Sequence, residues 1–298
     1  MRELAILGPT ASGKTSLGIS LAKKLDGVVL SLDSLSIYKG IDIASAKPSL
    51  EERDGIKHFG IDLISPDEIF NVVLFFDLYK QARKWALANG KTLIIVGGTS
   101  FYLKSMLTGL SDKPFVSEQT KEKVARKLKD LNSSYAYMQS IDADYAKNIS
   151  SNDTYRIEKW LEIHYETGLI PSSYLKQTQK EPIIKDIPIY NLQIDRDILR
   201  GRIEKRTDIM INSGLVDEVV GLEKKYGRLP RCMGAIGLKE VLEYLDGYLD
   251  LEQMREKIIT NTARLAKRQR TFNKTQFVDF NILHASMEEV EERIILNS

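Results

Sequence analysis

Gly8-Pro9-Thr10-Ala11-Ser12-Gly13-Lys14-Thr15 constrains the fold more than any other stretch of the chain. It follows the short apolar run Leu4-Ala5-Ile6-Leu7 and opens an amphipathic stretch from Ser16 to Leu25. Strand, glycine loop and helix are therefore adjacent, which is the context a phosphate-binding P-loop requires. Backbone N–H groups of the loop and first helical turn converge on one spot, and the helix dipole adds positive potential there. Lys14 brings a full charge to the outer phosphate, and the Thr15 hydroxyl suits a Mg²⁺ ligand. A Gly-rich turn with a solvated lysine would need neither the strand before it nor the helix after it. The chain is expected to grip a di- or triphosphate.

The 298 residues suffice for one large or two small domains. A net charge of +2 does not by itself call for nucleic acid, so a basic surface must come from local clustering. Cys232 is the only cysteine, which excludes an intrachain disulfide. With three scattered histidines it also excludes a Cys/His zinc module. The N-terminus leads straight into a strand, and no apolar run approaches the length of a membrane span. A cytoplasmic protein, acting as a monomer, is expected.

Val28 to Leu32 reads as a strand ending at Asp33-Ser34. In open α/β sheets ligands bind beyond the carboxyl ends of strands, so Asp33 would lie beside the P-loop. Ser65-Pro66-Asp67-Glu68 is a helix-start signal before an amphipathic stretch from Phe70 to Ala88. Thr92 to Val96 is a continuous apolar run, the pattern of a central parallel strand covered on both faces. It ends in Gly97-Gly98-Thr99. A motor or signalling ATPase carries its magnesium-binding carboxylate at the end of such a strand. The glycines disfavour a nucleotide-driven motor.

Composition changes near Leu110. Residues 111–185 are highly charged and strand-poor, with helices expected at Glu118–Leu131, Ser133–Gln139, Asp142–Asn148 and Asp153–Glu166, and breakers at Gly168 and Pro171. The expected fold class is α/β: a P-loop NTPase-like parallel sheet flanked by helices, residues 1–110 and 186–298, carrying an all-helical insertion domain at 111–185. The chain returns to the core through the strand-like Ile189–Ile194. Arg202 and Arg206 then share a helix face at i,i+4. The helix from Leu251 to about Phe272 ends in a stretch holding Arg264, Lys267, Arg268, Arg270 and Lys274 and no acidic residue. In a chain of nearly balanced charge this suggests contact with a polyanion. Phe277–Phe280 reads as a final strand and Ser286–Leu296 as a final helix.

Several stretches together resemble the bacterial tRNA dimethylallyltransferase family. They are Gly8 to Thr15; Asp33-Ser34 with Ile37-Tyr38-Lys39-Gly40; Ala46-Lys47-Pro48; Val96-Gly97-Gly98-Thr99; Asn152-Asp153 with Arg156; Arg202 with Arg206 and Met210; Gly237 with Glu240; and Leu265-Ala266-Lys267-Arg268-Gln269 with Thr271. The match is collinear over nearly the whole chain. Ser36, Ser45 and Phe272 depart from it, standing where the family often has glutamine, threonine and tryptophan.

The resemblance implies transfer of a dimethylallyl group from its diphosphate to N6 of the adenosine just 3′ of the anticodon. The residue types suit that chemistry. The leaving group is pyrophosphate, which Lys14, Thr15 and Mg²⁺ can hold as its charge develops. Arg206, or Arg202, would be the second cation. An exocyclic adenine amine is a poor nucleophile, so a carboxylate should take its proton, and Asp33 is the candidate base. Thr99 could hydrogen-bond that carboxylate or the adenine. The resemblance further implies tRNA contact at Asp33, Ser34, Leu35, Ser36, Lys47 and Thr99, at Tyr155, Arg156, Ile157, Glu158 and Lys159, and at Arg264, Lys267 and Arg268. The partners expected are the tRNA anticodon stem-loop and dimethylallyl diphosphate, with no membrane. The rival class is a P-loop small-molecule kinase, which shares the sheet, the P-loop and a strand-end base but needs no basic helix.

Overall fold

The structure, a computed structural model, describes residues 2–296. Six strands form one parallel sheet: β1 (Glu3–Leu7), β2 (Gly27–Leu32), β3 (His58–Phe59), β4 (Thr92–Gly97), β5 (Ile189–Leu192) and β6 (Ile282–Ala285). Their spatial order is β3-β2-β4-β1-β5-β6. The central strands are apolar on both faces because helices cover both. On one face Leu4, Ile6, Ile94 and Val96 pack with Leu17 and Leu21 of helix α1 (Lys14–Lys24) and with Val290 and Ile294 near the C-terminus. After β1 the chain moves to one side of the sheet, and after β4 it crosses to the other. A crevice therefore opens at the carboxyl ends of β1 and β4, which is where the P-loop lies.

Several helices start where a side chain satisfies free N–H groups. Ser49 and Glu52 form a capping box on α2 (Leu50–Arg53), and Asn71 caps α3 (Val72–Ala88). Helix α4 (Ser100–Thr108) follows β4 directly. Two compact units result, one of residues up to Leu107 together with those from Ile184 onward, the other Thr108–Ile183.

The second unit is helical: α5 (Glu118–Lys127), α6 (Leu131–Ile141), α7 (Ala143–Ala146), α8 (Thr154–Thr167) and α9 (Pro171–Gln177). Val124, Met138, Ala146, Ile157, Trp160 and Leu161 form its core. The buried Trp160 indole donates to Asp142 at 3.0 Å, and the same carboxylate accepts the Ser172 N–H at 3.0 Å. Pro171, expected as a breaker, starts α9 instead. Its missing N–H costs nothing at a first helical position.

The remaining helices belong to the first unit: α10 (Arg196–Asn212), α11 (Leu215–Tyr226), α12 (Leu238–Leu245), α13 (Leu251–Gln276) and α14 (Met287–Leu296). The final strand is not Phe277–Phe280. Helix α13 runs on to Gln276, and Phe277 is a buried knob with its ring centroid 6.2 Å from that of Phe272 and 6.0 Å from that of Phe280. The strand is Ile282–Ala285, in register with β5. Apolar spacing alone does not distinguish a short strand from a knob at a helix end.

Candidate active site

The P-loop turn is made by two residues at positive φ, Ala11 at 62° and Gly13 at 92°. Helix α1 starts at Lys14 without a side-chain cap, so its first N–H groups face the loop's concavity and suit an anion. Lys14 Nζ donates to the Pro9 carbonyl at 3.1 Å. Burial lowers its ammonium pKa to about 8; Asp33 works against that shift and Arg206 adds to it. Thr15 is exposed beside it, and the buried Ser12 hydroxyl has no protein partner.

Two arginines of α10 reach this loop. Arg202 Nη1 donates to the Ser12 carbonyl at 3.3 Å, and Arg206 Nη2 donates to the Ser45 carbonyl at 3.4 Å. Burial pushes the Arg206 guanidinium pKa down, and the charge of Asp33 pulls it up. Both arginines line a cavity of about 820 Å³ with Lys14, Thr15 and Lys23. Arg206 also lines a second cavity, of about 540 Å³, with Asp33, Thr99 and Arg268. Leu35, Ile203, Met210, Leu265 and Phe272 give this second cavity apolar walls. One guanidinium thus stands in the walls of both chambers.

Asp33 ends β2 in a tight turn. Its Oδ1 accepts the N–H groups of Leu35 at 2.8 Å and Ser36 at 3.2 Å, and among the described residues Oδ2 has no hydrogen-bond donor. Thr99 is not bonded to that carboxylate. Its Oγ1 accepts the Ser34 N–H at 3.2 Å, which leaves its own proton to donate. Gly97 makes the approach possible. A Cβ there would fall 2.0 Å from the Leu32 carbonyl oxygen.

Gln269 of α13 holds two loops of the candidate site at once. Its Oε1 accepts the Thr10 N–H at 2.9 Å, and its Nε2 donates to the Gly98 carbonyl at 3.1 Å. In the sequence Gln269 stands out only as part of a motif. The pairings span the length of the chain, and no local pattern signals them.

Other expected contact residues divide. Arg264, Lys267 and Arg268 are exposed on α13 and, among the described residues, form no ion pair. Ser34 is exposed and Leu35 lines the 540 Å³ cavity. In the helical unit Tyr155 is exposed, and Arg156 is exposed beside Asp153 at 3.2 Å. One expectation needs correcting. Ile157 is fully buried in the core of its unit, out of reach of an external ligand. Ser36 is buried with its hydroxyl 3.3 Å from that of Ser31. Lys47 has a buried side chain whose ammonium donates to the Tyr38 carbonyl at 2.5 Å, to Asp42 at 2.7 Å and to Asp62 at 2.5 Å. It pins a loop. Lys159 is likewise held by Glu158 at 2.8 Å and Glu162 at 2.6 Å.

A sequence model described as IPP transferase matches residues 36–276. The chain belongs to the IPP transferase family. A tRNA dimethylallyltransferase of Sulfurovum sp. is 52% identical over 296 residues, covering 99% of this chain and 98% of that protein. One from Nautilia profundicola is 54% identical over 293 residues, with 98% of each chain covered. Among solved structures, the full-length tRNA isopentenylpyrophosphate transferase of Bacillus halodurans superposes with a TM-score of 0.71 at 31% identity, over 99% of this chain and 95% of that one. A eukaryotic dimethylallyltransferase acting on tRNA gives 0.80 at 28% identity, over 95% of this chain and 74% of that one. Membership in this family leaves the small-molecule kinase without support.

Proposed function

We propose that the chain transfers a dimethylallyl group from dimethylallyl diphosphate to N6 of the adenosine 3′ of the anticodon in tRNA, releasing pyrophosphate. One observation carries this reading: Arg206 and Asp33 share the apolar-walled cavity, while Lys14 and Arg202 stand on the P-loop side of the same arginine. A donor with an anionic head and an apolar tail fits that gradient. Its diphosphate would rest on the N-terminus of α1, Lys14, Arg202 and Arg206, and its tail would enter the apolar chamber.

The adenine, turned out of its stack, would enter from the side of Asp33. The N6 lone pair attacks C1 of the donor as the C1–O bond to the diphosphate breaks. The proton leaving N6 passes to Asp33, whose free Oδ2 is the acceptor. The Thr99 hydroxyl, already accepting the Ser34 N–H, has a proton to donate to the adenine. Lys14 and Arg206 stabilise the charge that develops on the departing oxygen.

Among the described residues no three His, Cys, Asp or Glu side chains group as a metal site. The exposed Thr15 hydroxyl beside a phosphate cradle still suits Mg²⁺, which keeps its waters and needs only one or two protein oxygens when it arrives on a diphosphate. When bound it would neutralise the leaving group. The exposed cations of α13 and Arg156 would meet phosphates of the anticodon stem-loop. Among the described residues no helix is long and apolar enough to cross a membrane. A monomeric enzyme of the cytoplasm is the setting we propose.

Incubation with dimethylallyl diphosphate, Mg²⁺ and unmodified tRNA tests the reading, followed by nucleoside mass analysis. The expected product is N6-isopentenyladenosine. Phosphate transfer from ATP to a small acceptor, with no prenylated nucleoside, would overturn it.

A further inference from the structure

Glu218 lies on α11, far along the chain from the P-loop, yet it organises a loop of the site. Its carboxylate accepts three hydrogen bonds from successive backbone N–H groups. Oε2 takes those of Asp42 at 2.8 Å and Ile43 at 2.7 Å, and Oε1 takes that of Ala44 at 2.9 Å. Adjacent amides converging on one anion form the kind of concavity that elsewhere binds phosphate. Here it is filled from within the fold.

The loop then closes on itself. Ser45 Oγ donates to the Ile41 carbonyl at 2.5 Å, and the Ala46 N–H donates to that of Ile43 at 2.9 Å. Lys47 fastens the far end to Tyr38, Asp42 and Asp62. Between the two fastenings the Ser45 carbonyl is presented to Arg206 Nη2 at 3.4 Å. Ala44 and Ser45 stand in the wall of the 540 Å³ cavity, and Ala46 lines the P-loop cavity.

We propose that Glu218 is a positioning residue for prenyl transfer: by holding the amides of Asp42, Ile43 and Ala44 it sets the Ser45 carbonyl that orients Arg206. The inference rests on the assignment of Arg206 to the leaving diphosphate. Its physical basis is the strength of N–H bonds to a carboxylate, about twice that of neutral pairs. A guanidinium held in advance by a fixed carbonyl needs no reorganisation as charge develops on the leaving group. Lys47 keeps the loop attached without Glu218, so the carboxylate governs where the loop sits.

The test uses Glu218→Gln, which keeps the shape but turns one acceptor into an amino group facing the loop amides, and Glu218→Ala as a second variant. The single-turnover transfer rate should fall roughly 10- to 10²-fold, short of the 10²–10³ typical of deleting a stabilising donor outright. Affinity for tRNA should be unchanged, because the exposed cations of α13 are untouched. In an Arg206→Ala background, Glu218→Gln should cost less than about twofold more, since the group it positions is gone. An unchanged rate in both single variants overturns the proposal. So does a full, additive loss in the Arg206→Ala background, which marks a general structural role. Wild-type protein is assayed alongside. If it makes no N6-isopentenyladenosine, the functional reading falls, and this inference falls with it.

Discussion

Gln269 accepts the backbone N–H of Thr10 at 2.9 Å across 259 residues of sequence, so the C-terminal basic helix and the P-loop share a hydrogen bond. The same amide donates to Gly98 at 3.1 Å. Gln269→Ala leaves the part-buried Thr10 N–H and Gly98 carbonyl without this partner, an expected loss of about 1–3 kcal/mol of stability. Thermal unfolding measures that loss. Gly98→Ala would place a Cβ 2.4 Å from Nε2 and displace the same amide. The two substitutions together should therefore cost little more than Gln269→Ala alone. Full additivity would show that the glycine and the glutamine are not coupled.

Asp33→Ala should slow the chemical step by about 10²–10⁴-fold, the usual range for acid–base catalysis. Binding of the diphosphate donor, followed by calorimetry, should change little. A variant with most of its single-turnover rate intact would remove Asp33 from the role of base.

Lys14 gives a signed pH dependence. Its pKa in the free protein is lowered from 10.5 to about 8, chiefly by burial. A bound diphosphate restores the charge, so donor binding should take up a proton near pH 8 and weaken as pH rises above it. Calorimetry in buffers of different ionisation enthalpy reads that uptake, and Lys14→Met should abolish it. For stability the sign is opposite. Between about pH 8 and 10.5 the unfolded chain holds the Lys14 proton more tightly than the native one. This group alone therefore makes the fold more stable as pH climbs through that window.

Arg264 and Arg268 should set RNA affinity more than choice of base. Neutralising both should weaken tRNA binding and flatten its salt dependence, by about 0.7–0.9 in the log–log slope for each phosphate that no longer meets a cation. Donor binding should be unaffected. Identical slopes for wild type and variant would place the RNA elsewhere.

The parts of the site that were legible in the sequence are those made by neighbours in the chain. The P-loop, the aspartate ending β2 and the glycines ending β4 each combine a strand pattern with the residue that follows it. The ties of Lys47 were not legible, because its partners Tyr38 and Asp62 arrive only through folding. Ile157 misled through its place between exposed Arg156 and a charged face, although helical spacing with Trp160 and Leu161 marks it as core. Glu218 and Gln269 were invisible as site residues because each acts on backbone groups, which leave no trace in side-chain identity.

The steric lock at the end of β4 also bears on what this scaffold can become. The Leu32 carbonyl closes the space any Cβ at Gly97 would need. That strand end is where a motor or signalling ATPase holds its magnesium carboxylate. No single substitution can install an aspartate at Gly97 without prising β2 from β4. A path from this chain to a nucleotide-driven motor therefore has to rebuild the sheet before it can gain the chemistry.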